Sequence, residues 1–274
     1  GSFAYNANVV NRIENTVKNI TAQRFVGASA NSNVKNGKVK TVIQGTNTVD
    51  NFYAIATSVE VKEGETRLQG SVVGSLYMST NAGKITTQNN YVETGANQAV
   101  CYGGNNSGGT VTTLTNYILG GTVTTFYGGC RDGGTVTDLN NDVQGGTITY
   151  FYGANNKGTQ TGDVTNIIRG GKIGDSSDND ATKGYKKAFY GANYSGTLKG
   201  KVTTTIEGSA NVGIFYGGTQ TGNVVGDVEN TFLSGTVNYF FGANREGTAT
   251  GNVTTKVYGS GINTYRGGSH SGKV

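Results

Sequence analysis

Six segments of the chain share one pattern, apolar–x–Asn/Thr–x–apolar: Leu114-x-Asn116-x-Ile118, Leu139-x-Asn141-x-Val143, Val164-x-Asn166-x-Ile168, Val202-x-Thr204-x-Ile206, Val228-x-Asn230-x-Phe232 and Val253-x-Thr255-x-Val257. Alternation with a period of two predicts a strand with one buried face. A Gly closes each strand, at Gly120, Gly145, Gly170, Gly208, Gly235 and Gly259. Next comes a shorter strand, centred on Val123, Ile148, Ile173, Val237 or Ile262, and then an aromatic pair.

The aromatic slot holds Phe52-Tyr53, Leu76-Tyr77, Cys101-Tyr102, Phe126-Tyr127, Phe151-Tyr152, Phe189-Tyr190, Phe215-Tyr216, Phe240-Phe241 and Tyr265-Arg266, at spacings of 24 to 26 residues with one jump of 38. A polar stretch at about 174–186 accounts for the jump and reads as an inserted loop. Gly-rich turns such as GGNNSGG, GANNKG and GANREG follow the pairs, with Gly and Asn expected to supply positive φ where the chain changes direction. Val9, Ile13, Val17 and Ile20 fall at helical spacing, but residues 8–29 match residues 223–244 without a gap, so the N-terminal segment reads as another coil with Ile13-x-Asn15-x-Val17 as its strand. Val39-x-Thr41-x-Ile43, Thr66-x-Leu68 and Asn90-x-Val92 bring the count to ten.

Short strands and Gly-rich turns at a period near 25 residues define a β-solenoid, in which each coil buries its inner face only by stacking on its neighbours. The handedness of parallel crossovers makes a right-handed parallel β-helix the expected fold. At roughly 4.8 Å per coil, ten coils make a rod on the order of 50 Å long.

Composition narrows the alternatives. The chain of 274 residues has 46 Gly, no Pro, 34% hydrophobic and 14% charged residues, against about 45–50% apolar and 25% charged in an ordinary domain. Collagen needs Gly at every third position with abundant Pro, and a membrane helix needs about 18 consecutive apolar residues; neither pattern is present. The net charge of +5 comes from 22 Lys and Arg spread among 17 carboxylates, too diffuse a field to predict nucleic-acid binding. Two cysteines, Cys101 and Cys130, and one histidine, His270, show no zinc-ligand spacing, and strand register separates the cysteines, so two free thiols and no cofactor are expected.

By strand parity the mid-strand Asn and Thr residues point inward, where stacked amides satisfy one another along the rod. The aromatic pair is harder, because adjacent strand residues face opposite ways and the apolar first column conflicts with the parity of Ile214 and Tyr216. If the second column is exposed, Tyr102, Tyr127, Tyr152, Tyr190 and Tyr216 form a platform for a sugar or an apolar partner; otherwise they are a buried stacking ladder. Lys186, Lys187, Lys199 and Lys201 form the densest basic cluster and suit an acidic glycan. Asp175, Asp178 and Asp180 in the insertion lack the spacing of an EF-hand loop. Asp138 and Asp163, just before successive strands, are the one carboxylate pair placed for polysaccharide cleavage, although no cleft or partner base accompanies them. Thr-x-Thr triplets at 110–112, 122–124, 135–137 and 147–149 do not continue far enough to form an ice-binding array, and strand preference explains them.

The signature FYGG or FYGA, then N-x-x-G, a V-x-N-x-I strand and G-G-x-V, resembles the Gly-rich β-helix regions of large cell-surface proteins of Gram-positive bacteria. That resemblance implies an adhesin-like, extracellular, cell-wall-attached module; a host or bacterial surface ligand such as a glycan, or a spacer role, is expected, with no membrane insertion and as a monomer or weak end-to-end assembly. A β-helix lyase or hydrolase using Asp138 and Asp163 is the alternative. Gly1-Ser2 reads as a cloning scar on a single solenoid domain spanning 3–274, and the absence of a polar cap near Val274 predicts a fragment of a longer chain.

Overall fold

The computed structural model describes residues 11–28, 34–175, 177, 187–259 and 261–274. Gly1-Ser2, Asp178, Asp180 and Lys186 lie outside the described residues. All regular elements described are strands, every strand pairing is parallel, and the chain winds as a β-solenoid of ten coils.

The strands with the apolar–x–Asn/Thr–x–apolar pattern stack in sequence order into one ten-stranded sheet: Arg12–Lys18, Lys38–Gln44, Glu60–Leu68, Lys84–Val92, Thr110–Ile118, Thr135–Val143, Asp163–Ile168, Val202–Ile206, Val228–Phe232 and Val253–Val257, numbered here as coils 1 to 10. The strands with the aromatic pairs form a second, parallel stack from Thr21–Ala28 to Ile262–Arg266. A third side is short: Thr159–Gln160, Thr197–Leu198 and Asn223–Val224 form a three-stranded sheet, and single bridges such as Val224–Ala249 and Thr248–Lys273 continue it. From Arg12 to Lys18 the N-terminal segment is strand and not helix: Asn15 pairs in register with Thr41, and the period-two pattern wins over the apparent helical spacing; Val9 lies outside the described residues.

The mid-strand column faces inward. Asn90, Asn116, Asn141 and Asn166 are buried, and the Nδ2 of each of the first three donates to the Oδ1 of the next at 2.8 Å. Each amide's second N–H crosses the coil interior to the carbonyl of the first turn glycine, Gly103, Gly128, Gly153 or Gly191, at 2.7–2.9 Å. Where Thr41 and Thr66 replace Asn, the hydroxyl makes the crossing to Ala54 and Met78. Where the column residues are Asn, the landing point is glycine. A Cβ on Gly128 would lie 2.6 Å from Asn141 Oδ1 and 2.4 Å from the Gly153 carbonyl oxygen.

Parity in the second sheet is interrupted. Thr122, Val123, Thr125, Phe126 and Tyr127 pair with the neighbouring coil, but Thr124 drops out of the ladder. The bend lets Val123 and Phe126, three residues apart, both enter the core, so the first aromatic column faces inward. The insertion enters at this bend. Ile173 pairs with Ile148 and Phe189 with Phe151, so residues 174–188 stand where 149–150 do in the preceding coil, and the ladder on both sides keeps its register. Asp175 N–H to Lys187 C=O at 3.0 Å closes its base.

The turns depart from expectation in one respect: the only non-glycine residue with positive φ among those described is Asn19, so the turn asparagines do not supply it. Glycines such as Gly158, with φ of 84°, do. Asn105, Asn155, Asn193 and Asn244 are instead buried and form a second ladder, each Oδ1 accepting the backbone N–H of the coil before it, from Thr80, Cys130, Asn155 and Thr219. Cys130 occupies this column, where its Sγ takes the N–H of Asn105 at 3.3 Å.

Replacing Asn166 by Leu removes the acceptor for Asn141 and the donors to Gly191 and Thr204. The substitution should lower stability by about 1–3 kcal/mol, read as a shift in the urea or thermal unfolding transition. An unchanged transition would count against the amide column as a source of stability.

Candidate functional site

The second aromatic column leaves the core on the outer side of its sheet, yet it is buried. Tyr102 and Tyr152 are 8% and 4% exposed, Tyr190 and Tyr216 are fully covered, and Tyr127 is half-buried. The rings from Tyr53 to Phe241 stack face to face at 4.7–5.2 Å with interplanar angles of 5–17°. The turns provide the cover, with an offset of two coils. Asn106 Nδ2 in the turn of coil 4 donates to Tyr53 Oη of coil 2, Arg131 Nη1 of coil 5 donates at 2.8 Å to Tyr77 Oη of coil 3, and Tyr152 Oη of coil 6 donates at 2.6 Å to Gln220 Oε1 of coil 8. His270 of coil 10 meets the edge of Tyr216 of coil 8. Burial pushes the hydroxyls of Tyr102, Tyr127, Tyr152 and Tyr190 above the usual tyrosine range. The faces of these rings are occupied by one another, so the column is the stacking ladder and not an open sugar platform.

The basic cluster is dispersed by the fold. Lys187 stands at the base of the insertion on the second sheet, 3.9 Å from Asp175. Lys201 begins the first-sheet side of coil 8 and pairs with Glu229 at 2.8 Å, with the exposed Lys199 two residues before it. Asp138 and Asp163 are direct neighbours in adjacent coils, as their spacing predicts, and both are exposed. Asp163 Oδ1 accepts the backbone N–H of Lys201 at 2.8 Å, and Asp227 repeats this with Asn252. The visible work of Asp163 and Asp227 is to hold the backbone of the next coil. No His, Cys, Asp and Glu grouping suited to a metal ion occurs among the described residues. Cys101 and Cys130 are buried free thiols. Desolvation raises both, with Cys130 pushed up to about 12, so neither is a reactive thiolate at neutral pH.

The outer face of the first sheet carries chemistry that the sequence reading did not single out. Tyr91 and Tyr117 follow Asn90 and Asn116, so parity turns them outward, and their half-exposed rings stack at 5.1 Å. The Arg67 guanidinium lies over Tyr91, 4.1 Å from the ring centre. Glu93 accepts from Arg67 Nη1 at 2.8 Å and from Gln69 Nε2 at 2.7 Å, and a shallow groove runs from these three to Thr94, Gly95 and Leu119. Beside it Glu65 receives Lys38 Nζ at 2.6 Å, Arg67 Nε at 2.7 Å and Lys40 Nζ at 3.3 Å. Parity of the tyrosines was available from the sequence; the convergence of four charged groups from coils 2 and 3 needed the register Lys40–Glu65 and Val42–Arg67.

No family model, curated protein or solved structure matches the chain.

Burial of Glu65 works to raise its pKa, but the hydrogen bonds from Lys38, Arg67 and Lys40 outweigh it and bring the carboxyl down to about 2. A folded-state value below the unfolded value of about 4.3 means that the stabilisation is fully present above that pH and is lost as pH falls toward 2. Thermal melts across this window should show Glu65→Gln less stable than the parent at pH 7 and less sensitive to acid between pH 5 and 2. Parallel curves for the two proteins would contradict the ion-pair network.

Proposed function

We propose that the protein is a non-catalytic, rod-shaped binding and spacer module of an extracellular, cell-wall-attached surface protein, of the adhesin-like kind that its repeat resembles. The observation supporting this reading is the continuous parallel stacking of ten coils, with register shifts in the second sheet only near its start, at Val26–Ala28 and Thr48–Asn51. The insertion, the one long departure from the repeat, leaves the ladder intact, and the conspicuous aromatic column is used for packing. Such a rod sets distance and presents its sides. Asp163 serves a backbone contact, and among the described residues no salt bridge joins either exposed carboxylate of the pair to a cation, which favours binding over cleavage.

The first-sheet face around Tyr91, Tyr117 and Arg67 is the best-organised solvent-facing surface for a ligand. Phenol edges, amides and a fixed guanidinium together suit hydroxyl-rich and carboxylated glycans. The ring faces are partly taken by Arg67 and by each other, so contacts would come through hydroxyls and edges more than through stacking. A glycan array probed with the purified protein tests this: binding is expected to fall at least about tenfold in a Tyr91→Ala, Tyr117→Ala double variant. An Asp138→Asn, Asp163→Asn variant should bind unchanged. Cleavage of any array polysaccharide by the parent, abolished in the aspartate variant, would replace the binding reading with the enzymatic one.

A further inference from the structure

The groove at the corner of the first sheet has a chemistry that narrows the ligand class. Gln69, Glu93 and Leu119 occupy one position in successive coils, directly after the inward Leu68, Val92 and Ile118, and their backbone N–H groups donate to Ile43, Leu68 and Val92 of the coil before. Two residues earlier, on the same outward side, stand Arg67, Tyr91 and Tyr117. Three coils thus present two columns side by side, one of a guanidinium and two stacked rings, the other of an amide, a carboxylate and an isobutyl group. The second column, with Arg67, Thr94 and Gly95, lines an open space of ≈ 520 Å³, enough for a sugar residue.

The corner column is a directed chain of hydrogen bonds with one apolar member. Gln44 Nε2 donates to Gln69 Oε1 at 2.9 Å, and Gln69 Nε2 donates to Glu93 Oε2 at 2.7 Å. The chain ends on that carboxylate, which only accepts. The next coil offers Leu119, 41% exposed, and the one after it returns to a polar residue, Gln144, whose Nε2 donates to Asp142 at 2.8 Å. Arg67 donates through Nε to Glu65 and through Nη1 to Glu93, so a ligand carboxylate would meet a guanidinium already serving two carboxylates. A neutral group carrying a donor and a small apolar end is what this column matches.

We propose that the groove recognises the acetamido group of an N-acetylated amino sugar, an inference that rests on the glycan-binding reading of this face. In a trans amide the N–H and the methyl lie along one edge and the carbonyl along the other. Glu93 and Leu119 stand one coil apart, roughly 4.8 Å, and present an acceptor and an apolar contact to that edge in the same order. The amide N–H donates to the Glu93 carboxylate, the methyl packs on Leu119, and the carbonyl stays in solvent. The sugar hydroxyls then reach Arg67 and the phenol edges of Tyr91 and Tyr117 in the adjoining column. A hydroxyl in place of the acetamido group keeps a donor for Glu93 and leaves Leu119 uncovered.

Calorimetric titration of the protein with chitotetraose, whose sugars carry acetamido groups, and with cellotetraose, which has hydroxyls in their place, tests the proposal. Chitotetraose should bind at least about tenfold more tightly. Leu119→Asn, with an unchanged circular dichroism spectrum, should remove most of that preference. A glycan array extends the comparison to other linkages, and binding should concentrate in the members that carry acetamido groups. Equal affinities, a preference that survives in the Leu119 variant, or array binding confined to glycans without acetamido groups overturns the proposal and leaves the glycan-binding reading standing. A parent that binds neither tetraose nor any array glycan overturns both.

Discussion

A primary amide placed in an apolar interior must satisfy two N–H groups and a carbonyl, and this requirement organises the coil. One N–H of Asn141 runs along the rod to Asn166 and the other crosses to Gly153. The first bond fixes the vertical register of the first sheet. The second ties that sheet to the start of the opposite turn, and it sets the separation so closely that a methyl group at Gly128 has no room. Two features that look independent in the repeat, the mid-strand Asn and the glycine after the aromatic pair, are therefore donor and landing site of one hydrogen bond.

Much of this was legible in the sequence because it is periodic. The ten coils, their parallel stacking, the inward Asn column, the site of the insertion and the free thiols all follow from spacing and parity. Parity failed where the backbone leaves the ladder: the dropped residue at Thr124 re-phases the strand, so counting from Ile214 to Tyr216 could not tell which ring entered the core. The turn asparagines were misread for a related reason. Their hydrogen bonds join one coil to the next, and local turn preference says nothing about a neighbour 25 residues away.

The candidate surface illustrates the same limit from the functional side. The tyrosines that recur most regularly are the ones packed away, whereas Tyr91 and Tyr117 occur in only two coils and face solvent. Regular recurrence in a solenoid marks what every coil needs for stacking. Ligand chemistry is more often found in the irregular positions, here a guanidinium, two phenols and a carboxylate network confined to coils 2 to 5.

The two-coil offset of the tyrosine contacts changes the kind of polymer the rod is. A solenoid whose coils touch only adjacent coils behaves as a nearest-neighbour chain and frays one unit at a time. Here Asn106 reaches past coil 3 to Tyr53, Arg131 past coil 4 to Tyr77, and Gln220 past coil 7 to Tyr152. Coil 10 is thus held by its second neighbour as well as its first, through His270 against Tyr216, and peeling it away disturbs two interfaces at once. Where such contacts occur, the unit that must open together spans three coils and not two, so loss of one coil is coupled to the coil two away as well as to the one beside it.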